Sequence, residues 1–304
     1  MITGARGFLG RNLAAALDEH ELILVDKDPT FFEDTESVRW GFRHVHTCDL
    51  LEDIHILKQL MYGVDVVLHL AAATRIPRSW SAYKEYYETN ISASQQLLQL
   101  AQTTHVKKFI HFSSSSVYGN NGTDTQTEDS PLCPTNPYAV SKVASEMALR
   151  VQAEGGKTEL VIVRPFTMYG DYMDWSEDAL VIAKFLTALK EDEPLMLHGN
   201  GTPTRDFLHS SDAVMGIKLI IEHSKDGDIY NLGTGRSVSV KQLADCVSDR
   251  QVLAPNRRGA VERTCADTSK LRALGFNPQI DVLDWLTDKA NDLKIKSLKQ
   301  VEVV

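Results

Sequence analysis

Cysteine is scarce in this chain: four in 304 residues, Cys48, Cys133, Cys246 and Cys265, with no CxxC pair among them. That leaves no disulfide framework to read and points to reduced thiols in a cytoplasmic protein. Long apolar runs are missing too. Nothing approaches the ~20 residues that cross a bilayer, and Met1 to Asn12 lacks the apolar core of a signal peptide, so neither a membrane span nor secretion is expected. Positive charge is short: 32 Lys and Arg against 41 Asp and Glu leave a formal net charge of −9. This argues against a broad nucleic-acid or anionic-membrane surface, although a few placed arginines could still bind a phosphate ligand. His44 and His46 alternate, but no further ligand stands at metal spacing, so no metal site is expected.

What is present is the composition of a soluble globular protein, 43% hydrophobic and 24% charged, long enough for one large domain or two ordinary ones. Short near-continuous apolar runs, 21–25, 64–70, 108–112 and 160–164, alternate with helical stretches at 11–20, 83–102 and 137–153. Runs of that kind suit strands covered on both faces, and the alternation predicts a doubly wound parallel α/β sheet. After Arg164 the rhythm breaks into a helix over 179–190, a Gly-rich loop at 198–204 and an Arg/Pro/Gly-rich stretch at 250–280. These predict a smaller lobe over the sheet's carboxyl edge. The run 229–232 reads as a strand returning to the main sheet, so the lobes interleave: 1–165 plus about 208–240 in the first, about 166–207 plus 241–304 in the second.

Two local patterns carry chemistry. Gly4, Gly7 and Gly10 fall at every third position just before a helical run, where a tight turn and bare backbone N–H groups can receive a pyrophosphate. Asp26 ends the next strand, 16 residues after Gly10, where an acid can bind the adenosine ribose and would repel a 2′-phosphate, favouring NAD over NADP. Only Met1 and Ile2 precede Thr3, so either residues precede this sequence or the central strand is unusually short. The second pattern is Tyr138 and Lys142, four apart on one helix face, with Ser114 in a four-serine run 24 positions earlier. An ammonium beside a phenol lowers the tyrosine pKa from its usual ~10 and makes it a general base. Taken alone, the pair reads equally as two unrelated residues on a solvated face.

Taken together with Cys48-Asp-Leu50, His69-Leu-Ala-Ala72, Asn90, Ser113-Ser-Ser-Ser-Val-Tyr-Gly119, Tyr138-Ala-Val-Ser-Lys142, Arg164-Pro-Phe-Thr-Met-Tyr-Gly170, Arg205-Asp-Phe207, Asn231-Leu-Gly-Thr-Gly235 and Arg263-Thr-Cys-Ala-Asp267, these patterns resemble the extended short-chain dehydrogenase/reductase family, the NAD-dependent epimerase/dehydratase group acting on nucleotide sugars. The resemblance runs from Ile2 to about Pro278 and implies a Rossmann-like sheet with an interleaved substrate-binding lobe. It implies an NAD site made of Gly4, Gly7, Phe8, Leu9, Gly10, Asp26, Asp49, Leu50, Leu70, Ala71, Ala72, Asn90, Tyr138, Lys142 and Pro165. Catalysis would fall to Ser114, Tyr138 and Lys142. A nucleotide-diphosphate sugar, a UDP-sugar favoured, would be held by Arg78, Ser114, Ser115, Ser116, Tyr138, Thr167, Arg205, Arg257 and Arg263. Arg75 is expected at the surface.

By the same resemblance, 4,6-dehydratases carry Asp and Glu at the two positions after the catalytic Ser/Thr, and UDP-glucuronate decarboxylases a Glu at the second. Ser115 and Ser116 stand there, which leaves 4-epimerisation in front. The sugar stays open among glucose, N-acetylhexosamine and glucuronate. Hydroxyls of the serine run and Thr167 suit a carboxylate, but Asp171-Tyr-Met-Asp174 replaces the arginine-bearing segment expected of glucuronate epimerases, and acids near a carboxylate are unfavourable. A 4-ketoreductase and a non-catalytic NAD sensor are the rival readings. The family also implies a homodimer through the helices at 83–102 and 137–153, with Leu97, Leu98, Leu100 and Ala101 on one and Ala144, Met147, Ala148 and Val151 on the other; burial within one chain suits the same stripes.

Overall fold

The structure, a computed structural model, describes residues 1–29, 44–176, 179–256 and 258–301. Seven strands form the main sheet: β1 Ile2–Thr3, β2 Ile23–Asp26, β3 His44–Thr47, β4 Val66–His69, β5 Lys108–Phe112, β6 Glu159–Pro165 and, later in the chain, β10 Ile229–Leu232. Their spatial order is β10-β6-β5-β4-β1-β2-β3, and every neighbouring pair is parallel. The strand order reverses beside β1, and ligands of doubly wound sheets bind at that switch, outside the carboxyl ends. β1 has only two residues yet pairs on both sides, Ile2 with Leu24 and Leu68. All five residues of β5 are buried, as strands covered on both faces require.

Helix α1, Phe8–Ala16, begins directly after the glycine turn, earlier than the apolar period alone indicated. Next come α2 Ile54–Met61, α3 Ile76–Ser79 and α4 Tyr83–Tyr87. The stretch expected as one helix over 83–102 is three pieces: α4, a π-helical turn Glu88–Ser92, then α5 Ala93–Thr103. Helix α6, Pro137–Ala153, matches its expected bounds. Asn136 caps it, its Oδ1 accepting the Ala139 N–H at 2.9 Å, and proline occupies the first turn, where no donor is missed.

A second core lies beyond the sheet, built on α7 Val181–Lys190, α9 Val240–Val247 and α11 Val282–Val301, where Phe185, Leu186, Leu243 and Leu286 are buried together. Two small sheets belong with it: β7 Thr167–Tyr169, β9 Thr204–His209 and β11 Ser237–Ser239 in one, β8 Leu195–His198 and β12 Gln251–Ala254 in the other. Helix α8, Ser210–His223, leads from β9 back to β10, so the chain crosses between the cores more than once. A short α10, Ser269–Arg272, follows β12. Among the described residues no helix is long and apolar enough to cross a membrane.

One buried ion pair fastens α6 to β6. Arg164 Nε and Nη2 donate to both Glu146 oxygens at 3.0 and 2.7 Å, while Nη1 donates to the Tyr118 hydroxyl at 2.9 Å and the Glu128 carbonyl at 2.8 Å. Removing one member strands the other charge. Glu146→Ala is therefore expected to cost about 3–5 kcal/mol, read from the urea midpoint, whereas an exposed pair such as Lys241–Asp245 should cost little.

Candidate active site

Two segments converge at the carboxyl edge. β5 delivers the serine run: Ser114 is extended, with φ −163° and ψ 148°, and starts a 3₁₀ turn at Ser115–Val117. Its Oγ accepts the Ser116 N–H and donates to the Ser116 hydroxyl, both at 3.1 Å. Helix α6 delivers Tyr138 in its first turn and Lys142 one turn later, and both are buried. The Tyr138 ring lies edge-on to Tyr86, centroids 6.3 Å apart, and its phenol is hydrogen-bonded with Ser114. Lys142 Nζ donates to the Phe112 carbonyl at 2.8 Å.

The electrostatics differ from expectation. Burial pushes the Tyr138 phenol above the usual tyrosine value, with only the Ser114 hydrogen bond opposing and Tyr86 adding to the rise. Lys142 does not depress it here. The lysine itself is pushed down to about 8, by burial, with Glu146 acting against that shift. Desolvation raises an acid and lowers a base, so the two shifts share one cause.

Beneath this pair runs a buried ladder of side chains that local sequence gave no sign of. Thr3 Oγ1 and Ser94 Oγ each sit 2.8 Å from a ring nitrogen of His69, and Ser94 donates to the Asn90 carbonyl at 2.8 Å. Asn90 Nδ2 donates to Ser141 Oγ at 2.9 Å, and Ser141 Oγ donates to the Tyr138 carbonyl at 2.7 Å. Asn90 also holds the Ala73 N–H and carbonyl, at 2.8 and 3.0 Å. Its amide is thus engaged with the chain itself, which gives Asn90 a scaffolding part in the site. Burial pushes His69 down to about 3, so its ring is neutral.

At the switch point, the glycine turn makes a cradle. Gly4 has φ 68°, and a Cβ there would stand 2.7 Å from the Ala71 nitrogen; one on Gly10 would stand 2.4 Å from the Gly4 carbonyl oxygen. Gly7 caps α1 without a side-chain bond, which leaves the first-turn N–H groups of Phe8 and Leu9 for a ligand. Asp26 accepts the Arg6 N–H at 2.9 Å on one oxygen and the Asp28 N–H at 3.1 Å on the other, and each oxygen retains a lone pair for a hydroxyl. Asp49 caps Leu51 at 2.8 Å, Gln96 fixes the Leu50 carbonyl at 3.0 Å, and Leu70 bonds to Thr3 across β1 and β4. Pro165 ends β6, in register with Leu232. These groups fit a dinucleotide, with the pyrophosphate at Phe8–Leu9 and the ribose at Asp26. Gly4→Ala is expected to lose about 1–3 kcal/mol from backbone strain alone, with NAD affinity by calorimetry falling further than the stability.

On the opposite wall, Thr167 sits in register with Phe207, and Arg205 projects from the same strand, β9. Arg205 Nη1 donates to the Thr204 carbonyl at 2.7 Å and Nη2 to the Val261 carbonyl at 2.5 Å. Burial pushes its pKa down to about 10. Arg263 bridges to Thr204 through its backbone and pairs with Asp124 at 3.0 Å, so these two arginines share one wall. Arg78 is more than half exposed and pairs with Glu85 at 2.8 Å. Arg257 lies outside the described residues; its neighbour Arg258 stacks over Trp80 at 3.8 Å.

Asp206, unremarked beside Arg205 in the sequence, is fully buried. Its carboxylate accepts the N–H groups of Thr234, Gly235 and Ala266 at 2.8, 2.9 and 3.0 Å and the Thr234 hydroxyl at 2.7 Å. Burial raises its pKa, these donors lower it, and together they pin the 233–235 loop and the 263–267 segment to β9. Among the described residues no group of three or more His, Cys, Asp or Glu could hold a metal.

The profile of the NAD dependent epimerase/dehydratase family matches residues 1–233. The chain belongs to that family. It is an NAD-dependent enzyme with a Rossmann-like fold. The human dTDP-D-glucose 4,6-dehydratase is 32% identical over 254 residues, covering 80% of this chain and 71% of that protein. A UDP-glucuronic acid 4-epimerase from Bacillus cereus, solved with UDP-glucuronic acid and NAD, superposes with a TM-score of 0.86 at 28% identity, covering 96% of this chain and 98% of that one. The dTDP-glucose 4,6-dehydratase of Streptomyces venezuelae, solved with NAD, gives the same TM-score at 28% identity, over 95% of both chains. Epimerases and dehydratases therefore stand equally near this family member in fold.

Proposed function

We propose that the protein is an NAD-dependent nucleotide-sugar 4-epimerase, with a UDP-sugar as substrate. One observation carries the choice: Ser115 and Ser116 follow Ser114, and the hydroxyl of Ser116 is turned onto Ser114 at 3.1 Å. Elimination across a sugar's C5–C6 bond calls for an acid and a base beside the ring, and hydroxyls of ordinary pKa do not supply that pair. Inversion at C4 asks less. Tyr138 removes the O4 proton and returns it, Ser114 holds the same oxygen and shares the proton, and Lys142 would hold the nicotinamide ribose. Bound NAD supplies the reversible hydride acceptor, held by the cradle at Gly4–Gly10 and by Asp26. Arg205 and Arg263 face the diphosphate from the second lobe, where guanidinium groups bind phosphate oxygens bidentately.

The test is NMR on a panel of UDP- and dTDP-hexoses with no cofactor added. Reversible inversion at C4 is the expected result. A 4-keto-6-deoxy product would favour the dehydratase reading that the human relative supports. Loss of turnover unless reduced cofactor is supplied would favour a ketoreductase.

The reading includes a homodimer. Leu97, Leu98, Leu100 and Ala101 are buried within the chain's own core, which removes them from any such surface. Met147 and Val151 on α6 are 58% and 74% exposed, and Tyr83 and Tyr87 on the adjacent α4 are exposed as well. Apolar exposure on two neighbouring helices is what a four-helix interface would cover. Light scattering at micromolar concentration should give twice the chain mass, and Val151→Glu with Met147→Glu should give one.

A further inference from the structure

The turn after β7 lacks the expected arginine and makes a set of contacts instead. It leaves the strand at Gly170, φ 125°, and passes through Tyr172 at φ 63°, a left-handed backbone that non-glycine residues rarely adopt. Asn12 Nδ2 donates to the Asp171 carbonyl at 2.8 Å. The Arg11 guanidinium lies over the Tyr172 ring, 4.6 Å from its centroid. Asp174 pairs with Arg75, a residue expected only at the surface, and is further held by the Ser176 N–H and hydroxyl, both at 2.9 Å. Arg11 and Asn12 stand on α1 just past the glycine turn, whereas Arg75 closes the loop that follows β4 through Leu70–Ala72. The two anchors flank the switch point between β1 and β4. The Arg75 carbonyl also accepts the Tyr86 hydroxyl, and Tyr86 packs on Tyr138.

We propose that residues 171–176 form a strap across the dinucleotide cleft, latched by the Arg75–Asp174 ion pair, and that this latch sets how slowly NAD leaves. The strap deepens the epimerase reading and rests on it in one respect: an enzyme that regenerates its cofactor in each cycle gains from never releasing it. Both latch side chains are more than a third exposed, so the pair can open to water and is screened by salt. Asp174 is thus taken up by Arg75, and Asp171 enters the strap through its carbonyl.

Release of bound NADH, followed by fluorescence on dilution into excess NAD, is the test. Arg75→Gln and Asp174→Asn should each speed release roughly fivefold, the size an exposed ion pair allows, and the double variant should be no faster than either single. Release from the wild type should quicken with salt, and from the variants it should not. Tyr172→Gly relieves the left-handed strain, so it should melt no lower than the wild type and yet release faster. Unchanged release in both latch variants would overturn the proposal, as would additive effects. A raised hexose KM with unaltered release would also overturn it, by placing Asp174 on the substrate. Slow, latch-dependent release without C4 inversion would leave the strap standing and remove the epimerase reading; inversion with latch-independent release would do the reverse.

Discussion

Tyr138→Phe is expected to lower the rate of C4 inversion by about 10²–10⁴, the range for loss of a positioned general base, with the cofactor still bound. Phenylalanine keeps the ring that packs edge-on against Tyr86 and the buried volume at the head of α6, so the loss isolates the hydroxyl. KM for the nucleotide sugar should change little, because the arginine wall at Arg205 and Arg263 is untouched. The pH profile adds a sharper sign. Burial holds the phenol above its usual value, so its deprotonated fraction and the wild-type rate should climb with pH through neutrality. In Tyr138→Phe the residual rate should not climb. A variant that keeps its rate, or keeps the climb, removes Tyr138 from proton transfer.

Lys142→Met should abolish turnover and yet stabilise the fold. The ammonium is 3% exposed and lowered to about 8. A lysine harder to protonate when folded than when unfolded costs stability wherever the unfolded chain is charged. The cost is therefore full below pH 8, shrinks between there and the ordinary lysine value of ~10.4, and vanishes above. At pH 7 it amounts to roughly 3 kcal/mol. Urea midpoints of cofactor-free protein should favour the variant at pH 7 and converge with wild type near pH 10.5. A variant less stable at pH 7, or a difference that ignores pH, would contradict this account.

The sheet was legible because its physics is local: a strand buried on both faces is mostly apolar, and β5 admits only Lys108 at its start, whose ammonium reaches the Ser224 carbonyl, and a histidine whose ring is held neutral by burial. The start of α1 was less so, since Gly7 caps without a side chain and announces nothing. The glycine cradle and the Tyr138–Ser114 contact followed from motif order. Partners set by the fold did not. Asn90 meets Ala73 and Ser141, Arg75 meets Asp174, and Asp206 meets Thr234 and Ala266, all far away in sequence. The apolar period of α5 showed a buried face but could not say whose surface buries it, and Leu97 and Leu98 belong to the chain's own core.

The π-helical turn at Glu88–Ser92 makes this region sensitive to length more than to composition. A π turn holds one residue more than the α turn it replaces, so deleting a single residue there would restore an ordinary helix. The helix on either side would keep its faces, since the wider turn absorbs the extra residue, and only the residues inside the turn, Asn90 among them, would be re-aimed. Asn90 could no longer face Ala73 and Ser141 while Leu97 and Leu98 kept their places in the core. Substitution of the exposed Glu88 should pass unnoticed, whereas deletion of that residue would dislodge the floor beneath Tyr138.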